Sequence, residues 1–409
     1  MKKLKKFVTK VKRKIRSCIL SILKYINYKI VIPIAYKRYC KLPKNDKLVL
    51  FADLRPRDIH ENFVDLYKLC EEHGYQCVAL NGKSYGSNIP AVIARKAKLK
   101  FQFDFLKLFA QCSVLFLVEY FPLADAVTPR EGTKIIQLWH GCGAMKTMGY
   151  AGTGKGWGAS ERTKKLYPMH QNYSLVSISS ENLAHCYEEA FQIEPGIVKG
   201  YGMPRTDIYF NQEYIQNAKA NLLKHFPEIG DRKVILFAPT FRGRSIKKSF
   251  YNMDLDLRKY KQELGDKYAL VVKFHPMMAK GGLTASMRVK GAGFVYDATH
   301  ILAPEEALCA ADILIGDYSS IGFEYLLLGR PIISYIPDLD DYVSDRGLFY
   351  PFEETMPAPY AFNQEELLEY LLTVDNWFNP SDILPYREKF MSACDGHSTE
   401  RIFNIVFNQ

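Results

Sequence analysis

The chain has 409 residues, enough for two domains. Its composition, 48% hydrophobic and 24% charged, excludes a disordered or fibrous protein. The net charge of +11 is unevenly spread: residues 1–47 hold 16 Lys or Arg against Asp46 alone, a local +15 that leaves the remainder at −4. A nucleic-acid protein would want its basic face on the folded body, so that class is disfavoured, and no nucleic-acid partner is expected. The 9 cysteines show no CxxC pair and no His/Cys cluster at zinc spacing, which points to a reduced compartment without disulfides or structural zinc.

The first 46 residues read as a basic amphipathic segment. Leu4, Phe7, Val8, Val11, Ile15, Cys18, Ile19, Ile22, Leu23 and Ile26 recur at three- and four-residue steps, with lysines and arginines around them. Lys24 and Lys29 interrupt the apolar run, so no window of about 20 residues is free of charge to span a bilayer. No compact apolar core is followed by a small-residue cleavage site, so a secretory signal is not expected. A helix lying on an anionic membrane surface through residues 1–30 fits the charge asymmetry. A helix packed on its own domain, or a basic arm on nucleic acid, are the competing readings.

From Lys47 strands alternate with helices. LVLFAD (48–53) is a strand, 62–73 a helix and 75–80 a strand. Further strands fall at 113–118, 134–138 and 175–178, with a helix over 181–191. A first domain over 47–210 follows. Its notable strand end is Gln137-Leu138-Trp139-His140-Gly141. A His followed by Gly at the carboxyl end of a parallel strand points into the crevice where such sheets bind ligands, and imidazole can take a proton near neutral pH. The same His could instead cap the turn. Gly149 to Gly158 (GYAGTGKGWG) nearly fits P-loop spacing, but Gly156 stands where Ser or Thr must hold magnesium, so an NTPase loop is rejected.

A turn at GYGMPRTD (200–207) precedes a polar linker helix, 211–231. Strand-helix alternation then restarts in a second domain, 232–409. KVILFAPTFRG (233–243) ends a strand in Arg242, and YALVVKFHP (268–276) ends one in His275. The stretch 309–337 reads as strand, turn, helix and strand, with Ser319 and Ser320 where the helix begins. Arg offers a fork to phosphate oxygens, His donates one or two hydrogen bonds, and hydroxyls at a helix start add donors and a favourable dipole. Three such groups at parallel strand ends suit a diphosphate. Glu324, one turn into the helix, is expected to face the same crevice and accept from ribose hydroxyls, or else to serve the helix dipole. Asp338, Asp340 and Asp341 lack a His or Glu at useful spacing and read as a solvated loop. Tyr342 to Tyr350 reads as a loop carrying Arg346. No metal ligand set and no cofactor are expected.

The ordered set Trp139-His140-Gly141, GMPRTD, PTFR, KFHP, DYSSIGFEY and DRGLF resembles the CDP-glycerol glycerophosphotransferases, the TagB/TagF-like enzymes of teichoic acid synthesis, over roughly residues 110 to 350. The resemblance implies an α/β fold of the GT-B kind, two Rossmann-like doubly wound domains facing a cleft. It also implies transfer of glycerol phosphate from CDP-glycerol to a lipid-linked acceptor at the cytoplasmic membrane face, with release of CMP. By motif, His140 is similar to the family's catalytic base. Arg242, His275, Ser319 and Ser320 are similar to its pyrophosphate-binding residues, Glu324 to its acidic position and Arg346 to its Arg-Gly motif. The family's usual Thr-Pro-Leu-Lys after His-Gly is replaced by Cys142-Gly143-Ala144-Met145-Lys146. Acceptor identity, primase against polymerase and homo-oligomerisation stay open. So do ribitol phosphate or a nucleotide sugar as donor, and a non-enzymatic scaffold for polyanions.

Overall fold

Among the described residues twelve strands form, all short and almost all apolar. They are β1 (Leu48–Asp53), β2 (Gln76–Asn81), β3 (Val114–Leu117), β4 (Lys134–Gln137), β5 (Leu175–Ser177), β6 (Val198–Lys199), β7 (Lys233–Phe237), β8 (Tyr268–Val272), β9 (Val295–Asp297), β10 (Ile313–Gly316), β11 (Ile332–Tyr335) and β12 (Tyr360–Ala361). The computed structural model describes residues 2–55, 58–82, 91–154, 158–242, 255–274 and 283–408. Every residue of β1, β3, β8, β10 and β11 is buried. An unbroken apolar run of that kind belongs to a parallel sheet covered on both faces. The pairing is parallel from β2 through β5 in one sheet, with Val49 opposite Val114, and across the whole of the other, with Ile313 opposite Ile235.

The first sheet runs β2-β1-β3-β4-β5-β6 and the second β12-β11-β10-β7-β8-β9. Counted from β7, the second sheet has the doubly wound order 3-2-1-4-5-6, so strand order reverses between β7 and β10. Ligands of such sheets bind outside the carboxyl ends at that reversal. Two parallel α/β sheets, as expected from the sequence, are observed.

By contacts the chain divides into two compact units. One is Met1–His140 with Ala159–Val176; the other is Gly141–Gly158 with Ser177–Gln409. The helix expected as a linker, Gln212–His225, belongs to the second unit. Asn211 caps it through Tyr214 N at 3.0 Å, Ala218 and Leu222 are buried, and Lys219 pairs with Asp312 at 3.1 Å. The second core gathers Ile235, Phe237, Leu270, Val272, Ile315 and Ile333 among others. Each such side chain contributes about 1.5–3 kcal/mol on burial.

In the first unit the N-terminus is helical, Lys2–Ile26 then Ile32–Tyr39, joined by a π-turn at Asn27–Val31. Pro33 lacks the N–H that would continue the regular ladder, which accounts for the widened turn. Asn27 and Gln102 exchange side-chain amide bonds at 2.8 and 3.1 Å and anchor that turn. Ile15, Ile19, Ile22, Leu23 and Ile26 are exposed. Val11–Tyr39 contains an 18-residue window long and apolar enough to cross a membrane by length and composition. Lys24 and Lys29 lie within that stretch, and Lys24 turns back over the Tyr167 ring, its ammonium 4.3 Å from the centroid.

Candidate functional site

In the first unit the chemistry gathers after β4. Gln137 is fully buried. Its Nε2 donates to the Glu119 carbonyl at 3.0 Å and the Tyr173 hydroxyl at 3.1 Å, while its Oε1 accepts from Trp139 N at 2.9 Å. This clamp holds Trp139 at φ +54, a left-handed conformation that a bulky residue rarely adopts without support. Asn62 Nδ2 donates to the Trp139 carbonyl at 2.8 Å. The Trp139 ring lies 4.6 Å from that of His140. His140 Nδ1 sits 3.3 Å from the Val118 carbonyl. A carbonyl only accepts, so Nδ1 carries the proton and the basic lone pair belongs to Nε2. Nearby, burial pushes the His170 imidazole down to about 3, so that ring is neutral, and it bonds the Tyr173 hydroxyl at 3.0 Å.

In the second unit the strand ends of β7 and β10 are latched together. Thr240 N lies 3.0 and 2.9 Å from the two Asp317 oxygens, and its hydroxyl donates to Oδ1 at 2.6 Å. Arg242 Nη1 donates to Asp317 at 3.0 Å and to the Thr240 carbonyl at 2.7 Å. The rest of its fork is bidentate on Asp338, Nε at 2.6 Å and Nη2 at 2.9 Å. Tyr318 OH also donates to Asp338, at 3.1 Å. Burial opposes the Asp338 charge, but Arg242 and Tyr318 outweigh it and hold the carboxyl below the usual carboxylate range. Asp338 is thus no solvated loop residue. Arg242 presents a fork already engaged with carboxylates, so a phosphate reaches it only by sharing or displacing them.

Ser319 and Ser320 stand where the sequence put them, ahead of the helix Ile321–Leu326. Ser319 Oγ accepts from Ile321 N at 3.4 Å, and Ser320 makes no side-chain capping bond. Beside them opens a small cleft of about 70 Å³, lined by Ala238, Thr240, Lys273, Phe274, Ala307 and Ser319. It lies at the reversal between β7 and β10. Lys273 Nζ donates to the Thr299 carbonyl at 3.0 Å, and burial lowers its pKa. Mostly apolar walls with a few polar groups suit a flat ring beside phosphates.

Three expectations are corrected or moved. Glu324 does not face the crevice; at 2% exposure it is ion-paired with Arg205 and accepts from Tyr209 OH at 2.8 Å. An Arg buried alongside outbids any distant ligand for a carboxylate. Arg346 is not in a loop but ends the helix Leu339–Arg346, before Gly347 at φ +75. Its guanidinium lies 5.6 Å from the Phe241 ring and 3.4 Å from Asp345. His275 falls outside the described residues, as do residues 155–157 of the glycine-rich loop. Sequence reasoning missed Asp317 and Asp338 as latches and Arg205 as the partner of Glu324. Arg205 had a signal, since it stands inside GMPRTD; its partner lay 119 positions on.

The family profile described as CDP-Glycerol:Poly(glycerophosphate) glycerophosphotransferase matches residues 34–408. The chain belongs to this family. Among relatives of this family member, a teichoic acid ribitol-phosphate primase of Bacillus spizizenii is 32% identical over 89% of the chain and 92% of its own length. A teichoic acid poly(ribitol-phosphate) polymerase of the same organism is 31% identical over 92% of the chain but 58% of its own length. A teichoic acid glycerol-phosphate primase of Bacillus subtilis is 29% identical over 72% of the chain and 73% of its own. In fold, the chain is similar to the wall teichoic acid polymerase TagF, with TM-score 0.73 at 19% identity over 98% of this chain and 97% of that one. A UDP-GlcNAc 2-epimerase of Neisseria meningitidis shares the architecture more loosely, with TM-score 0.54.

Proposed function

We propose that this family member transfers an alditol phosphate from a CDP-alditol to a lipid-linked acceptor of a teichoic-acid-type polymer and releases CMP. The observation that carries the reading is the built turn at the reversal of the second sheet: Ser319 and Ser320 beside a mostly apolar cleft, in a chain of this family. The acceptor hydroxyl attacks the alditol-bearing phosphorus in line. His140 Nε2 takes the hydroxyl proton, and the bond from that phosphorus to the bridging oxygen breaks, so that CMP departs with the electron pair. The Val118 carbonyl supports this role by holding the His140 proton on Nδ1. Such transfer is largely positioning and charge stabilisation, which suits hydroxyls and cations at fixed strand ends.

Glycerol phosphate is the unit in the family's description. A ribitol unit is favoured by the 32% identical relative, a ribitol-phosphate primase matched over 92% of its length. A donor panel decides. Full-length protein is incubated with CDP-glycerol, CDP-ribitol or a UDP-sugar and a prenyl-linked saccharide acceptor, and CMP and product length are followed. Turnover with a CDP-alditol is the expected result; turnover confined to the UDP-sugar would refute the reading. His140→Ala should lower kcat about 10²–10⁴-fold with donor Kd unchanged. Full turnover by that variant removes His140 from the chemistry.

A further inference from the structure

Lys146 occupies a built position that the transfer reaction has not used. The segment from Gly141 to Thr147 is fixed at both ends. Near its start, Tyr187 OH donates to the carbonyls of Gly141 and Gly143 at 3.3 and 2.8 Å, and Gly143 N donates to Ser179 Oγ at 2.9 Å. A Cβ on Gly141 would lie 3.5 Å from Ser320 Oγ, so the segment starts against the serine turn. At its end it pairs antiparallel with the turn after Arg346. Lys146 bridges Leu348, Phe349 N donates to Met145 O at 3.0 Å, and Thr147 donates through N to Gly347 O at 3.1 Å and through Oγ1 to Arg346 O at 2.8 Å.

The Lys146 ammonium lies 5.9 Å from the Tyr342 ring centroid and makes no hydrogen bond or ion pair among the described residues. Tyr342 stacks on Tyr318 at 3.8 Å, with the Arg242 guanidinium 5.1 Å from both rings. Asp317, whose charge acts on Lys146, and the carboxylates paired with Arg242 and Arg346 are each committed. Asp317 is bound to Thr240 and Arg242, Asp338 is bidentate with Arg242, and Asp345 is paired with Arg346. Burial pushes the Lys146 ammonium down to about 8; Asp317 opposes this, and Arg346 and Arg242 reinforce it. A desolvated ammonium whose neighbouring carboxylates already serve guanidiniums is stabilised by an incoming anion.

We propose that Lys146 is a phosphate-binding residue of the transfer site, held between the Ser320 turn and the Arg346 turn to take an oxygen of a substrate phosphate. This rests on the alditol-phosphate reading for the identity of the substrate, not for the anion itself. The phosphate belongs to the donor diphosphate or to the phosphate end of the acceptor, and separate arms of the test distinguish them.

Glycerol 3-phosphate is the probe, titrated calorimetrically into the full-length protein between pH 7.5 and 9.5. Its second ionisation, near 6, is complete there. Bound anion favours charged Lys146, so binding should take up protons and Kd should weaken as pH rises through about 8, approaching tenfold per unit. Lys146→Met should raise Kd tenfold or more and abolish the pH slope. Lys146→Arg should restore affinity without the slope, because guanidinium stays charged. In parallel, Kd for CDP-glycerol and CDP-ribitol and KM for a phosphate-terminated acceptor are measured. A loss confined to the first assigns Lys146 to the donor, and a loss confined to the second assigns it to the acceptor. Wild-type binding of probe, donors and acceptor by Lys146→Met overturns the proposal. Should that variant misfold, a wild-type Kd flat from pH 7.5 to 9.5 overturns it equally. If no CDP-alditol is turned over, the probe titration still reads Lys146, so the two failures are separable.

Discussion

Glu324 and Arg205 show how a residue's partner decides its role. Glu324 is 2% exposed, and the Arg205 side chain is 11% exposed. Removing one partner strands a buried charge, whereas removing both leaves a site that apolar groups can fill. Arg205→Met should therefore lower stability by about 3–5 kcal/mol. Arg205→Met combined with Glu324→Leu should regain much of that loss. Denaturant unfolding of the two variants and the wild type measures both changes. A double variant as unstable as the single one would mean that Tyr209, which donates to Glu324, needs the carboxylate more than Arg205 does. The identities of these residues were plain in the sequence, but the pairing was not. Arg205 and Glu324 lie 119 positions apart, and Arg242 and Asp317 lie 75 apart. A chain order alone cannot say which acid meets which base.

At the scale of elements, the strands were legible because parallel strands buried on both faces leave unbroken apolar runs, as in Leu48–Asp53 and Tyr268–Val272. Strand ends were legible too, since polar residues cluster where such runs stop. Helix against loop near Asp338 was less so. Leu339–Arg346 carries Asp340, Asp341 and Asp345, a run that composition assigns to solvent until Tyr342 is seen buried beneath it. The Gly141–Thr147 segment was opaque for another reason: its shape depends on what surrounds it. Gly143 takes φ +66, and a Cβ there would come within 2.3 Å of the Phe323 ring. Gly154 has φ +81 with nothing among the described residues within 4 Å of an added Cβ. Gly154→Ala should cost only its backbone strain, about 1 kcal/mol, whereas Gly143→Ala adds overpacking of about 1–3 kcal/mol. Thermal unfolding compares them. Equal shifts in Tm would mean that Phe323 yields freely and that the segment is softer than its hydrogen bonds imply.

For the whole molecule the dominant fact is the separation of charge. Residues 1–47 carry +15, and the rest carries −4. Residues 1–30 hold 11 of the basic residues, and the helix they form exposes Ile15, Ile19, Ile22, Leu23 and Ile26. Apolar residues left in water beside lysines and arginines match the requirements of an anionic bilayer surface, where each basic residue contributes about 1 kcal/mol. An acidic body repelled by the same surface would keep the remainder of the chain off it. Deleting residues 1–30 should move the protein from sedimenting anionic vesicles to the supernatant. Unchanged sedimentation of the deletion variant would place the membrane contact elsewhere. The intact chain separates two modes of attachment. A helix lying on the surface is held partly by screened charge, so raising salt from 0.1 to about 1 M, which shortens the Debye length from about 10 to 3 Å, should release much of the protein. If Val11–Tyr39 crosses the bilayer instead, salt and alkaline carbonate should leave it in the pellet, because burial of the apolar window does not depend on ionic strength. Lys24 and Lys29, in the apolar middle of that stretch, favour the first outcome, since charge at the bilayer centre costs about 2.5–3.5 kcal/mol per residue on insertion scales.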